Sequence, residues 1–103
     1  MLQELKMEHG VAVVNSLLGK IYEDQKNLSL AEEYYNQSLL KYHEQNDKLN
    51  EAEINNKLGE LFLRYSDFEK AKKSFGIAYK QFDELNNAQG KAITLRNIGT
   101  TYF

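Results

Sequence analysis

The sequence contains no cysteine, no proline and no tryptophan among its 103 residues. The absence of cysteine excludes a disulfide framework, a thiolate metal site and a cysteine nucleophile. Proline is the residue that most often ends or interrupts helices, so its absence favours long helices. The longest apolar run, residues 11–14, is too short for a membrane span or a signal-peptide core. We therefore expect a soluble, cytoplasmic protein without a membrane segment.

The charge balance is close to neutral and evenly distributed. Thirteen Lys and Arg residues stand against fifteen Asp and Glu residues, which gives a formal net charge of -2. No run of five charges of one sign occurs, so the chain offers no basic stripe for phosphates. The sequence predicts a protein that does not bind nucleic acid.

The chain repeats itself with a period of 40 residues. Small residues and Leu-Gly or Ile-Gly pairs recur three times in this register, where an added methylene would push packed helices apart. The recurring columns are Ala12, Ala52 and Ala92, and the pairs Leu18-Gly19, Leu58-Gly59 and Ile98-Gly99. We predict ten residues of lead-in (1–10), one repeat over 11–50, a second over 51–90, and the first helix of a third over 91–103.

Apolar residues within each period follow helical spacing along two successive stripes, which predicts a pair of helices in each repeat. Asn27 and Asp67 carry side-chain oxygens suited to capping the second helix of each pair. Polar segments at 46–48 and 86–88 connect one pair to the next, and no segment is typical of a strand. The predicted fold class is all-α, with about five helices in a single domain.

Six positions in each pair carry the residue types of a known helical repeat. The two sets are Leu18-Gly19-Tyr22-Ala31-Tyr35-Ser38 and Leu58-Gly59-Phe62-Ala71-Phe75-Ala78. This pattern resembles the tetratricopeptide repeat, which implies a right-handed α-α superhelix of stacked antiparallel helix pairs. The family's usual period of about 34 residues and its closing proline are absent here. The longer period resembles the 40-residue variant found in cell-polarity adaptor proteins and in bacterial signalling proteins, and residues 86–102 most resemble the bacterial arrays.

In the family that this pattern resembles, the first helices of successive pairs line a concave groove that binds peptides or proteins. Transfer by register places groove residues on all three first helices, while i,i+4 pairs such as Glu53–Lys57 are equally typical of a solvated helix face. The predicted groove residues are Ser16, Lys20, Glu23, Glu53, Asn56, Lys57, Glu60, Arg64, Arg96, Asn97 and Thr100. Their mixed charges do not match the family's clamp for a peptide carboxylate, so we expect a different peptide or protein ligand.

No nucleophile, base and orienting group can be assembled from the sequence, which predicts a protein that is not an enzyme. His9 and His43 lack the spacing of metal ligands, so we expect no metal site and no cofactor. Two other functions stay open beside a protein-interaction module: a regulatory input segment of a larger signalling protein, such as a histidine kinase or transcriptional regulator, and a self-associating scaffold. The scaffold would form a homodimer through exposed terminal helices, with Ile93, Ile98, Tyr102 and Phe103 unpaired.

Overall fold

The computed structural model describes residues 2–101, with side chains for Met7 and for residues 9–101. Over that range it consists of helices and short turns, without a strand, so the all-α prediction is confirmed. Tyr102 and Phe103, predicted to lie on an unpaired face, fall outside the described residues. The five helices are α1 (Leu2–Asp24), α2 (Leu28–Glu44), α3 (Lys48–Arg64), α4 (Phe68–Glu84) and α5 (Ala88–Thr101).

Four three-residue turns join these helices, and all four have the same backbone geometry. In the first, the Asn27 N–H donates to the Tyr22 carbonyl at 2.9 Å and the Lys26 N–H to the Glu23 carbonyl at 3.0 Å. This pair of bonds is the Schellman motif, which requires a left-handed residue at its centre. The central residues are Lys26, Asn46, Ser66 and Asn86, with φ of 62°, 56°, 62° and 54°.

The last residue of each turn caps the helix that follows. Asn27 accepts from the Leu30 N–H at 3.3 Å and Asp67 from the Lys70 N–H at 3.2 Å, which confirms both predicted caps. Asp47 and Asn87 make the same bond at the other two turns. The capping positions 27, 47, 67 and 87 are spaced by 20 residues, so the backbone repeats twice within each 40-residue repeat of side chains.

Lys26→Gly is expected to raise the free energy of unfolding by about 0.5–1 kcal/mol, because glycine adopts the left-handed conformation without the cost that a Cβ imposes. Lys80→Gly is the matched control, since Lys80 is an exposed lysine inside α4 and glycine lowers helix stability there by roughly 1 kcal/mol. Urea unfolding followed by circular dichroism measures both. A fall in stability for both variants would contradict the strain assigned to Lys26.

The described part of the predicted lead-in, residues 2–10, belongs to a helix. α1 runs unbroken from Leu2 through Gly10 to Asp24. One 20-residue step before Asn27 lies Met7, which has no side-chain oxygen to cap a helix. The helix therefore continues through the position where the other turns form, and Gly10 lies inside it.

The two helices of each pair approach closely at a glycine, as predicted. A Cβ added to Gly19 would lie 2.7 Å from Cδ1 of Tyr35, and one added to Gly59 would lie 2.6 Å from Cδ1 of Phe75. Both rings are fully buried. Tyr35 thus lies against Gly19 within its own pair and also belongs to the core cluster that includes Ile54 of the next pair. The main contacts join consecutive helices, with a smaller contact between α3 and α5.

Candidate functional site

The first helices of the successive pairs, α1, α3 and α5, carry all eleven predicted groove residues, and we call the surface they form the groove face. Glu23 and Asn56 are buried, whereas Ser16, Lys57 and Asn97 are half-buried. The other six are exposed: Lys20, Glu53, Glu60, Arg64, Arg96 and Thr100. The register places all eleven residues on the first helices but does not predict which of them are covered, and their role in binding a ligand stays a prediction.

Glu23 is held at the junction of three helices. Its carboxylate accepts a hydrogen bond of 2.7 Å from the Tyr35 hydroxyl of α2, and its other oxygen lies 3.1 Å from Nε of Arg64 on α3. Burial, followed by this hydrogen bond, raises the pKa of Tyr35 well above its ordinary value. Only 5% of Glu23 is exposed, so this residue stabilises the packing of α1 against α2 and α3 and is not accessible to a ligand.

Two polar contacts join α3 to α5. The Glu60 carboxylate accepts a hydrogen bond of 3.2 Å from Nδ2 of Asn97. The Thr94 hydroxyl lies 2.8 Å from the Gly90 carbonyl oxygen and 3.1 Å from Oδ1 of buried Asn56. A hydroxyl has one proton to donate, so Thr94 shares it between these two acceptor oxygens. These contacts fix the spacing between the two helices.

A cleft of about 300 Å³ opens between α3 and α5 beside those contacts. Glu53, Lys57 and Ile93 contribute to its lining, and Ile93 is 37% exposed. The Glu53–Lys57 ion pair, which would be typical of a solvated helix face, is not formed, and within residues 9–101 neither side chain has an ion-pair partner. Arg96, one turn further along α5, is likewise without one in that range. The cleft therefore presents one cation, one anion and an apolar side chain, and Arg96 adds a second cation one turn beyond Ile93 on α5.

The comparisons with known proteins agree with this geometry. A family model described as tetratricopeptide repeat matches residues 10–84, which is most of the chain. The chain belongs to the tetratricopeptide repeat family. Among solved structures it is similar to the crystal structure of BtubC (BKLC) from P. vanneervenii, with 26% identity and a TM-score of 0.78. The match covers 88% of this chain and 37% of that one, so this chain spans well under half of the BtubC chain. None of the curated proteins matches.

The opposite side of this tetratricopeptide array carries a second surface that the sequence reasoning missed. Three adjoining recesses of about 360, 270 and 380 Å³ follow one another between α2 and α4, over α3, and we call them together the rear trough. Leu39, Leu40 and Ile77 give its centre an apolar lining, and Leu40 and Ile77 remain exposed. In the sequence, the signal for this surface is the presence of apolar residues such as Leu40 and Ile77 on the second helices, outside the core stripe. The trough exists because α2 and α4 are not among the main helix contacts.

The two histidines make contacts between neighbouring helices. Nδ1 of His43 lies 3.0 Å from the carboxylate of Glu51, and His9 packs edge-on against Tyr42 with ring centroids 5.9 Å apart. Within the described part of the tetratricopeptide array, no three His, Asp or Glu side chains are grouped to hold a metal ion. Over the same residues, no helix has the length and apolar character that crossing a membrane requires.

Proposed function

We propose that this tetratricopeptide array is a non-catalytic interaction module that binds a peptide or an extended protein segment across the groove face, centred on the cleft between α3 and α5. The unpaired charges around that cleft are the observation that carries the proposal. Their neighbours Glu60, Asn97, Asn56 and Thr94 hold the two helices at a fixed distance. A ligand therefore meets a preformed site, which lowers the cost of ordering on binding.

The chemistry of the cleft indicates the kind of peptide. Lys57 and Arg96 favour an acidic side chain or carboxylate through charge-assisted hydrogen bonds. Ile93 beside them favours an apolar side chain, and Glu53 favours a basic or amide group. We expect a short segment with an acidic residue next to an apolar one, in contact with α3 and α5 at the same time.

Selection from a displayed library of random peptides tests this proposal with the full chain as bait. Synthetic copies of the selected peptides are expected to bind at least about tenfold more weakly to the double variant Lys57→Glu with Arg96→Glu, because two attractive charges become repulsive. The matched control is Lys73→Glu with Lys80→Glu, which makes the same change of charge on exposed lysines of α4. Because Lys73 lines the rear trough, weaker binding to the control variant alone would assign the peptides to the trough and refute the groove proposal.

A regulatory input role in a larger signalling protein, and a cytoplasmic location, remain predictions from the sequence. The similarity to part of a much longer BtubC chain supports a role as one section of a longer array. A sensor kinase or DNA-binding module in the same reading frame would support the regulatory role.

A further inference from the structure

The outer face of α1 carries an uncovered apolar stripe. Met7, Val11, Val14 and Ile21 are 69%, 43%, 54% and 49% exposed, and half-buried Leu18 lies between the last two. The steps between these five residues are four, three, four and three residues, which is the heptad spacing of a helix that packs along another helix. No charged residue interrupts the stripe from Met7 to Ile21. An apolar depression beside Met7, Gly10 and Val14 adds to the same surface.

The same face is buried elsewhere in the chain. Ile54 and Leu61 lie 40 residues after Val14 and Ile21, and they are 2% and 0% exposed. They belong to the core cluster that includes Tyr35 and Tyr42 of α2. On α3 this face therefore packs against a helix, and on α1 it is built in the same way but has no helix upon it.

The start of α1 indicates what kind of helix covers the stripe. Elsewhere a three-residue turn folds each helix back onto the next, with an Asn or Asp cap at its end. At the equivalent position α1 has Met7 and continues as a helix. The continuation extends the apolar stripe by a further turn, beyond the length that a helix of the repeat presents to its neighbour. This extended stripe favours a separate helix that runs alongside α1 over a helix joined to α1 by the three-residue turn.

We propose that α1 pairs with α1 of a second copy of this chain, so that the two stripes cover one another in a closed homodimer. A stripe without charges is self-complementary, because neither copy places a like charge opposite the other. Gly10 lies on the flank of the stripe with open space around it, which lets a second backbone approach closely. Two copies thus bury the four exposed side chains of each stripe at one interface.

This interface leaves the groove face open. Ser16 lies about half a turn around α1 from the stripe, because successive residues of an α-helix advance by about 100°. The dimer is therefore independent of the peptide binding proposed above, and each can fail without the other. Two grooves in one dimer would also engage a partner that carries two copies of the recognised segment.

The competing arrangement uses the other end of the array. Leu95 is 53% exposed on α5, and Gly99, unlike its counterparts Gly19 and Gly59, has no aromatic ring against it. If α1 of one copy packed on α5 of the next, the contact would be head-to-tail and would continue into open-ended assemblies. Light scattering separates this outcome from a closed dimer.

The test measures the mass of the full chain by light scattering and sedimentation equilibrium from low micromolar to millimolar concentration. We expect a species of twice the 12.0 kDa chain mass and nothing larger. The dimer of the double variant Val14→Glu with Ile21→Glu is expected to have a dissociation constant at least about tenfold higher than that of the native dimer. The reason is that the new charges would be buried against apolar side chains. Leu95→Glu and Leu40→Glu place the same charge on equally exposed leucines of α5 and α2, and both should leave the dimer intact.

A charge-swap experiment keeps the test informative if the double variant unfolds. Val14→Glu alone and Val14→Lys alone should each be monomeric with a native circular dichroism spectrum, and an equimolar mixture should restore the dimer. A native chain that stays monomeric at millimolar concentration would overturn the proposal. So would growth into larger species that Leu95→Glu abolishes, or a dimer that survives the charge at Val14 in a folded protein.

Discussion

Gly59→Ala is expected to lower the free energy of unfolding by about 2–3 kcal/mol, although alanine is the better helix former. The new methyl carbon would lie 2.6 Å from Cδ1 of Phe75, a distance that side-chain carbons do not tolerate. Phe75 is fully buried and cannot swing away, so α3 and α4 must separate. Van der Waals contacts are then lost along the whole pair.

Gly76→Ala is the matched control for this effect. Gly76 lies inside α4, is exposed, and has no atom within 4 Å of an added Cβ. The same change there should stabilise the protein by about 0.5–1 kcal/mol through the lower helix propensity of glycine. Urea unfolding measures both variants. Phe75→Leu in the Gly59→Ala background should recover part of the loss, and a shift of both alanine variants in the same direction would contradict the close approach.

Tyr35→Phe is expected to cost about 1.5–3 kcal/mol of stability, which is the range for a hydrogen bond to a charged group. The hydroxyl donates at 2.7 Å to Glu23, whose carboxylate is almost fully buried. Without that donor, Arg64 remains the partner of a charge that water scarcely reaches. Loss of one partner from a buried charged group costs more than replacement of the whole group by an apolar one.

The second repeat supplies the control for this prediction. Forty residues further on, Leu63 and Phe75 occupy the positions of Glu23 and Tyr35, so that repeat has the apolar version of the contact. The double variant Glu23→Leu with Tyr35→Phe should therefore be more stable than Tyr35→Phe alone. A double variant that is less stable than the single one would show that Glu23 stabilises the fold by some route other than Tyr35.

The single variant Tyr35→Phe should also change how the stability of the protein depends on alkaline pH. Burial, and then the hydrogen bond to Glu23, raise the pKa of Tyr35 in the folded protein above its unfolded value of about 10. The unfolded chain therefore releases this proton first, and stability that is fully present below about pH 10 falls as the pH rises further, by up to roughly 1.4 kcal/mol per pH unit. Tyr35→Phe should flatten this fall. Burial also raises the pKa of Tyr42, so part of the slope should persist.

Much of the fold can be predicted from the sequence because its determinants are local. The approach of Gly19 to Tyr35 and the caps at Asn27 and Asp67 follow from residue types at fixed spacing, and the structure confirms them. The helix that continues through Met7 follows the same rule, because a cap requires a side-chain oxygen and methionine has none.

The candidate site was harder to predict because its chemistry depends on neighbours distant in the sequence. Helical register places Glu23 and Asn56 on the groove face, and they do lie on α1 and α3. Whether such a residue meets a ligand depends on Tyr35, Arg64 and Thr94, which come from other helices. The rear trough was missed for a related reason, since it is created by the distance between α2 and α4.

The contact pattern also has a consequence for folding kinetics. Each helix packs mainly on the helix before it and the helix after it, and the longest regular step joins α3 to α5. Contacts so close in the sequence need only short loops to close, which places the chain among fast-folding proteins of low contact order. Folding can then begin at any pair of helices and propagate to the neighbouring helices on both sides. A destabilising substitution between α3 and α4 interrupts this propagation in both directions, whereas one in α5 affects only the terminal helix.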